Sequence, residues 1–407
     1  MPLPPRAWLT VGLLWFVGFF NYLARVMLTT MHGSMVATIH MNEAEFGLLT
    51  SSFLWIYGLL NPVAGFISDR SSRSRVIVVS LLVWSAITWL TAYATTFHQL
   101  LVMRCLMGIS ETFYFPAAVA LITEYHRGRT RSLATGLHMT GVLFGAALAG
   151  LGGWLAEVRT WNFAFTLVGA CGFAYGLALW RLLRDAPGAA DGIPVTRDKA
   201  RFSEALSSLA TSFGFQRVFA FCCLAGAVGY SVLGWMPTYL HERYHLRQGA
   251  AGFSATVYLS LAEFGGIILS GIWADRWSLT QPRARLLVLA CGYCAAAPGI
   301  FLVAHASVLT VAAGGLVLLG LASGFVDSNL VPSQCLVTDP RFRATAYGLG
   351  NMGATVAGGL AIFGVGLLRD RGVDFGRVLG LASFALLLCP LLLFWIKPAT
   401  MAEKSLR

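Results

Sequence analysis

Arg25, Arg104 and Glu111 stand inside stretches of sequence otherwise too apolar to carry charge. Arg104, Gly108 and Glu111 are spaced i, i+4 and i+7, which places all three on one face of a helix. Arg104 and Glu111 are then two turns apart, about 10 Å along the axis, so they cannot bond each other while the helix stays regular. Gly108 is expected to leave open space between them. A guanidinium presents paired N–H donors that match a carboxylate or phosphate, so two of them in one region suit an organic anion. Arg25 has a plainer alternative, a structural pair with Glu111. Glu111 itself has the chemistry of a proton carrier, because burial disfavours its charge and a neighbouring arginine favours it.

Two more deep acids, Glu263 and Asp327, bring the ionisable residues well inside apolar runs to five. Each costs about 2.5 to 3.5 kcal/mol at the centre of a membrane helix, so each must pair or face water. Glu263 and Asp327 are candidate proton sites, with structural pairing as the alternative for Glu263. His138 is a further candidate shuttle, since imidazole titrates near neutrality, against the simpler role of a packed neutral ring. Tyr22, Tyr57, Asn61, Trp235, Tyr239 and Asn351 can offer hydrogen bonds and ring faces to an organic substrate, as can Tyr114 and Asn329. For any one aromatic, packing is the competing explanation.

The elements that must position these residues follow from composition. Hydrophobic residues make up 57% of the 407 and charged residues 12%, which makes the bilayer the solvent. A spanning helix needs about 20 apolar residues. Twelve such runs are predicted, at 8–32, 45–68, 76–95, 98–123, 133–157, 161–183, 216–241, 250–273, 286–304, 307–337, 346–368 and 376–397. The fold class expected is an all-α membrane protein. The first run has no convincing cleavage site and is read as a retained helix.

Two internal echoes divide the chain. Gly65-Phe-Ile-Ser-Asp69-Arg70 recurs 206 positions later as Gly271-Ile-Trp-Ala-Asp275-Arg276. Arg131-Ser-Leu-Ala-Thr-Gly136 recurs at an offset of 212 as Arg343-Ala-Thr-Ala-Tyr-Gly348. Two six-helix bundles, 1–183 and 216–407, are therefore expected, joined by a polar linker at 184–215. Parallel six-helix repeats are the architecture of transporters that rock one half against the other around a midplane site.

The net charge of +11 does not point to nucleic acid, because the basic residues alternate loop by loop. Arg70, Arg73 and Arg75 follow the second span, Arg127, Arg129 and Arg131 the fourth, and Arg276, Arg283 and Arg285 the eighth. By the positive-inside rule both termini face the cytoplasm, although Arg369, Arg371 and Arg377 depart from it. The stretch Gly348-Leu-Gly350-Asn-Met-Gly353 satisfies a dinucleotide pattern but follows no strand, so close helix packing explains it better. Gly141 and Gly145 read as a packing seam. The eight cysteines, including Cys291 and Cys294, are taken as apolar fillers without metal. No catalytic motif marks an enzyme, and no cofactor is implied.

The run Gly65-x-x-x-Asp69-Arg70-x-x-Arg73-x-Arg75, its echo at 271–276 and the twelve spans resemble the major facilitator superfamily. Within it, Asn21-Tyr22-x-x-Arg25, Arg104-x-x-x-Gly108-x-x-Glu111 with Pro116, and Trp235-x-Pro237-Thr-Tyr239 resemble the anion:cation symporter family, which includes sugar-acid transporters and sialin. The resemblance implies that Tyr22, Arg25, Tyr57, Asn61 and Arg104 touch substrate and that Glu111 carries a proton. It also implies a cytoplasmic latch built from Gly65, Asp69, Arg70, Arg73, Asp275 and Arg276. One departure stands out: where the family places an Asp before the first arginine, this chain has Ala24. Asp327 or Glu263 can take over that proton site, coupling can rest on Glu111 alone, or transport can be uncoupled.

These readings lead to one expectation: a monomeric, multi-pass protein of a bacterial inner membrane that moves a small organic anion by proton-coupled alternating access. The competing expectation is a proton-driven exporter of amphiphilic or drug-like compounds, lysolipid-type anions included.

Overall fold

A computed structural model describes residues 6–68, 70–126, 130–186, 202–281, 283–394 and 396. Asp69 of the loop motif, Arg127, Arg129 and residues 187–201 of the linker lie outside the described residues. Among those described, regular structure is helical throughout. The chain runs α1 (Ala7–Thr30), α2 (His32–Ile39), α3 (Glu43–Ser68), α4 (Arg73–Thr91), α5 (Phe97–Thr112), α6 (Tyr114–Tyr125), α7 (Arg131–Ala147), α8 (Gly150–Val158) and α9 (Trp161–Leu182). It continues through α10 (Phe202–Thr211), α11 (Phe213–Tyr244), α12 (Gln248–Ser278), α13 (Ala284–His305), α14 (Leu309–Val337), α15 (Arg343–Asp370), α16 (Phe375–Leu386) and α17 (Leu388–Phe394).

Among the described residues twelve stretches are long and apolar enough to span a bilayer, matching the twelve expected runs. The fourth combines α5 with α6, the fifth α7 with α8, and the last α16 with α17. Two of these breaks have a local cause. Pro116 and Pro390 lack the N–H that would bond the carbonyls of Thr112 and Leu386, and the helix is interrupted at Phe113 and Leu387, next to each. Helix starts are fixed by Ser72, Thr96 and Thr160, whose side chains accept from the N–H of Arg75, Gln99 and Phe163.

The chain forms two compact units. One comprises Met1–Ile193, Leu233–Val257 and Ile362–Leu367; the other comprises Pro194–Val232, Tyr258–Ala361 and Leu368–Arg407. The packing units therefore differ from the halves defined by the repeat, since 233–257 and 362–367 pack with the first half of the chain. Within that unit, Gln248 accepts from the backbone N–H of Ser34 at 3.0 Å, and Trp235 donates to the carbonyl of Ile362 at 3.1 Å.

The first unit is centred on Val11 and Leu14 of α1, Ile77, Leu81 and Trp84 of α4, and Ala117 and Leu121 of α6, spaced at helical period. Between membrane helices the lipid is as apolar as the core, so close approach does the holding. Gly141 and Gly145 bring α7 so near α1 that a Cβ at either would run into the carbonyls of Trp15 and Phe19. In the second unit Gly320 and Gly324 of α14 lie in the same way against the carbonyls of Leu259 and Glu263 on α12. Gly350 and Gly353 abut Gln334 and Phe219, in keeping with packing. The cysteines correct the filler reading in part: Cys222 and Cys389 are buried, but Cys171, Cys291 and Cys294 lie on exposed helix faces.

A third echo appears in the backbone. His40 and His245 are the two described non-glycine residues with positive φ, each at 52°, and they are 205 positions apart. Each turns the chain between one helix and the next, ahead of Glu43 and Gln248 respectively.

Gly145→Leu should lower stability by about 2 kcal/mol or more through overpacking, read as the melting temperature in detergent. Gly136→Ala, where nothing lies within 4 Å of the new Cβ, should leave the melting temperature unchanged or higher.

Candidate functional site

α1 carries Asn21, Tyr22 and Arg25 within one turn, and α5 carries Arg104, Met107 and Glu111. Packing of these helices with α3 assembles an ionic cluster. Arg25 donates from Nη2 and Nε to the same oxygen, Glu111 Oε2, at 3.2 and 3.3 Å. Three rings pack on the Arg25 guanidinium: Tyr57 at 4.4 Å, Phe53 at 4.6 Å and Tyr22 at 4.9 Å from ring centre. Such contacts are worth most where water is excluded. The pair foreseen as the plainer role of Arg25 is therefore formed.

Arg104 is placed differently. Its Nη1 donates to the Met107 sulfur at 3.3 Å, its guanidinium lies 4.9 Å from the Phe53 ring, and its Nε has no partner. Among the described residues no acid stands within ion-pairing distance of it. Glu111 Oε1 and Asn21 Nδ2 make no regular hydrogen bond, but Asn21 lies beside the carboxyl as a donor to it. Arg104 is 2% exposed, Glu111 1% and Arg25 9%, so Arg25 is the member that reaches the rim of the cluster. A buried donor with no acceptor is costly, and here Arg104 Nε is one beside an ion pair.

The expected gap at Gly108 is corrected. A Cβ there would meet the Phe53 carbonyl at 3.0 Å and Ile56 at 3.3 Å, so the glycine makes room for α3. That approach is what delivers Phe53 and Tyr57 to the arginines. Phe53 and Met107 were not singled out from the sequence, although each stands three or four residues from a predicted site residue. Ala24 lines a small void with Phe20, Trp84, Ser85, Thr88, Val168 and Gly172, so position 24 looks toward α4 and α9.

Other candidates are placed elsewhere. In the second unit Glu263 on α12 and Asp327 on α14 are electrostatic neighbours. Asn351 lies in that unit too, on α15, with its carbonyl accepting from Thr355 at 3.0 Å. His138 is fully buried on α7, 3.4 Å from the Tyr114 hydroxyl, which also donates to the Leu14 carbonyl at 3.2 Å. Trp235 is fully buried between His32 and Phe46, about two turns beyond Arg25 and Phe53 along their chains. Tyr239 is buried in the same segment, and Asn61 is half-buried on α3.

At the loop motif, Gly65 has open space around it, while Arg70 folds back on Phe66, donating to its carbonyl at 3.3 Å. Arg73 is ion-paired with Glu124 at the end of α6. Asp185, just past α9, accepts from Ser72 Oγ at 2.5 Å and from Ser74 N–H at 2.8 Å, and so holds the start of α4. In the echo, Asp275 pairs with Arg285 at 2.6 Å, and Arg276 is exposed. Glu124, Asp185 and Arg285 were not anticipated as partners.

Among the described residues, twelve stretches fit to span a membrane and a buried ionic cluster formed by α1, α3 and α5 go with a multi-pass membrane transporter, not an enzyme. A family model described as Major Facilitator Superfamily matches residues 14–362, and the chain belongs to that superfamily. It is 26% identical over 312 residues to a D-galactonate transporter of Escherichia coli, covering 70% of this chain and 72% of the relative. It is 24% identical over 409 residues to a probable sulfoacetate transporter of Cupriavidus necator, covering 94% of each. Among solved structures, a bacterial homolog of the lysosomal transporter spinster superposes with a TM-score of 0.76 at 20% identity, covering 97% of this chain and 96% of that one.

Removing one partner of the buried pair strands the other. Glu111→Leu should cost about 3 kcal/mol or more, Arg25→Leu less, because a carboxyl can take up a proton and a guanidinium cannot lose one. The double variant should recover most of the loss, measured as chemical unfolding in detergent.

Proposed function

We propose that the protein moves a small organic anion, a carboxylate, across the membrane by proton-coupled alternating access. One observation carries the reading: Arg104 is buried without an acidic partner, beside an arginine that has one. A cation so placed calls for a mobile anion, and the relatives named for galactonate and sulfoacetate handle anions of that size. Tyr22 and Tyr57, with Phe53, would form the wall of the site next to Arg25, and Asn61 on α3 is assigned to the same substrate. Trp235, Tyr239 and Asn351 keep a part in substrate binding only through a rearrangement that uncovers them.

Glu111 is the proposed proton carrier, with Oε1 as the place for the proton. The Glu263–Asp327 pair is the proposed second proton site, standing in for the acid that Ala24 replaces, and His138 ranks behind both because it is enclosed by Tyr114. Asp69, Arg70 and Arg73 with Gly65, and Asp275 with Arg276, are proposed as latches of the cytoplasmic side, steadied by Glu124 and Asp185. A bacterial inner membrane, cytoplasmic termini and a monomeric state complete the proposal.

Purified protein in liposomes should accumulate galactonate or sulfoacetate when an inward proton gradient is imposed, and much less without it. Arg104→Ala should reduce uptake at least about 100-fold, as expected for a lost charge-assisted contact worth about 3 kcal/mol, while the protein still inserts and elutes as a single species. Normal uptake by that variant would refute the site. The three rings on Arg25 favour a second reading, export of an amphiphilic anion, which would stand instead if a lysolipid, but neither small acid, were transported.

A further inference from the structure

The two arginines of the cluster are not equivalent. Arg25 donates from Nη2 and Nε to Glu111 Oε2, while Oε1 makes no regular hydrogen bond. Arg104 has only the Met107 sulfur. With Glu111 ionised, the cluster carries two guanidinium charges against one carboxylate, a surplus of one positive charge in a site that excludes water. One anionic group on Arg104 cancels that surplus. A second anionic group would leave a net negative charge and would have to compete with Glu111 for Arg25.

A proton on Glu111 Oε1 removes both obstacles. It neutralises the acid, frees Arg25 from its charged partner, and raises the surplus to two. The other titratable side chains packed on the cluster are Tyr22 and Tyr57 on Arg25 and Cys105 beside Arg104. Phenols and thiols are ordinarily neutral below pH 8 and add no charge. His138 and Tyr114 lie against the same face of α1, at Leu14 and Gly18, about two turns before Arg25, with the Tyr114 hydroxyl on both His138 and the Leu14 carbonyl. Glu111 is the acid, among the described residues, that is seen to pair with the cluster.

We propose that Arg104 and Arg25 are two unlike seats for negative charge: Arg104 accepts an anionic group whatever the protonation of Glu111, and Arg25 accepts one only when Glu111 is protonated. The deprotonated cluster then selects monoanions and the protonated cluster selects dianions. This rests on the anion-transport reading above and adds the charge class of the cargo.

The test is equilibrium binding of gluconate and glucarate to the purified full-length protein between pH 8 and pH 6. The two acids share a six-carbon polyol frame and differ by one carboxylate. Ordinary carboxyls titrate near about 4, so both ligands keep their charge across that range. A ligand that takes up one proton on binding tightens by up to about tenfold per pH unit. Glucarate should therefore gain at least about tenfold in affinity from pH 8 to pH 6, and gluconate less than about twofold. Glu111→Gln should hold glucarate near its low-pH affinity at every pH. Equal pH responses of the two acids would overturn the two-seat proposal while leaving anion transport intact, and so would a pH response of glucarate that survives in Glu111→Gln. Binding of neither acid at any pH would overturn the anion reading and the seats with it. The wild-type comparison needs no variant, so a poorly folded Glu111→Gln protein would not spare the proposal.

Discussion

Two guanidinium groups and one carboxylate, shut together in a part of the chain that faces hydrocarbon, set the terms for the rest of the first unit. Such a group of charges is expensive in a membrane, and it is retained because three helices meet around it. Arg25 is held by Glu111 and by three rings, and Arg104 by a sulfur and one ring. Breaking that asymmetry from either side changes what the site can bind. A carboxylate can be neutralised by a proton, whereas a guanidinium cannot, so the adjustable member is Glu111.

The helices deliver this arrangement through close contacts more than through bonds. α3 reaches α5 because Gly108 carries no side chain, and that approach brings Phe53 over both arginines. The interruption at Phe113, forced by Pro116, falls two residues past Glu111. The acid therefore sits in the last turn of α5, where the chain is free to redirect its axis into α6. The same logic operates between α1 and α7 at Gly141 and Gly145. In each case a missing Cβ fixes the distance between backbones, and side chains elsewhere on the helices take their positions from it.

Much of the fold was legible in the sequence because a membrane leaves so few choices. Twelve apolar runs gave twelve spans, and spacing placed Arg104 and Glu111 on one face. Pairing of Arg25 with Glu111 was foreseen as one of two possibilities, since a deep cation needs an answer. The gap at Gly108 was misread because one helix's spacing says nothing about what its neighbour inserts. Phe53 was overlooked for the same reason. The partners of the loop motif, Glu124 and Asp185, lie 51 and 113 residues from Arg73 and Ser72, and no periodicity links positions so far apart. Trp235 read as a substrate-facing aromatic, but its indole N–H is spent on the carbonyl of Ile362, a contact set by tertiary packing alone.

The matched bends at His40 and His245 show what duplication preserved and what it released. Both corners keep the same left-handed turn, but the opening residue of the helix that follows bonds across its own corner in one copy and to the other copy of the repeat in the second. In one copy that residue is Glu43, held to His32 at 3.1 Å; in the other it is Gln248, held to Ser34. The first corner is thus closed by a local pair, while the second ties the start of α12 to α2, 214 residues away.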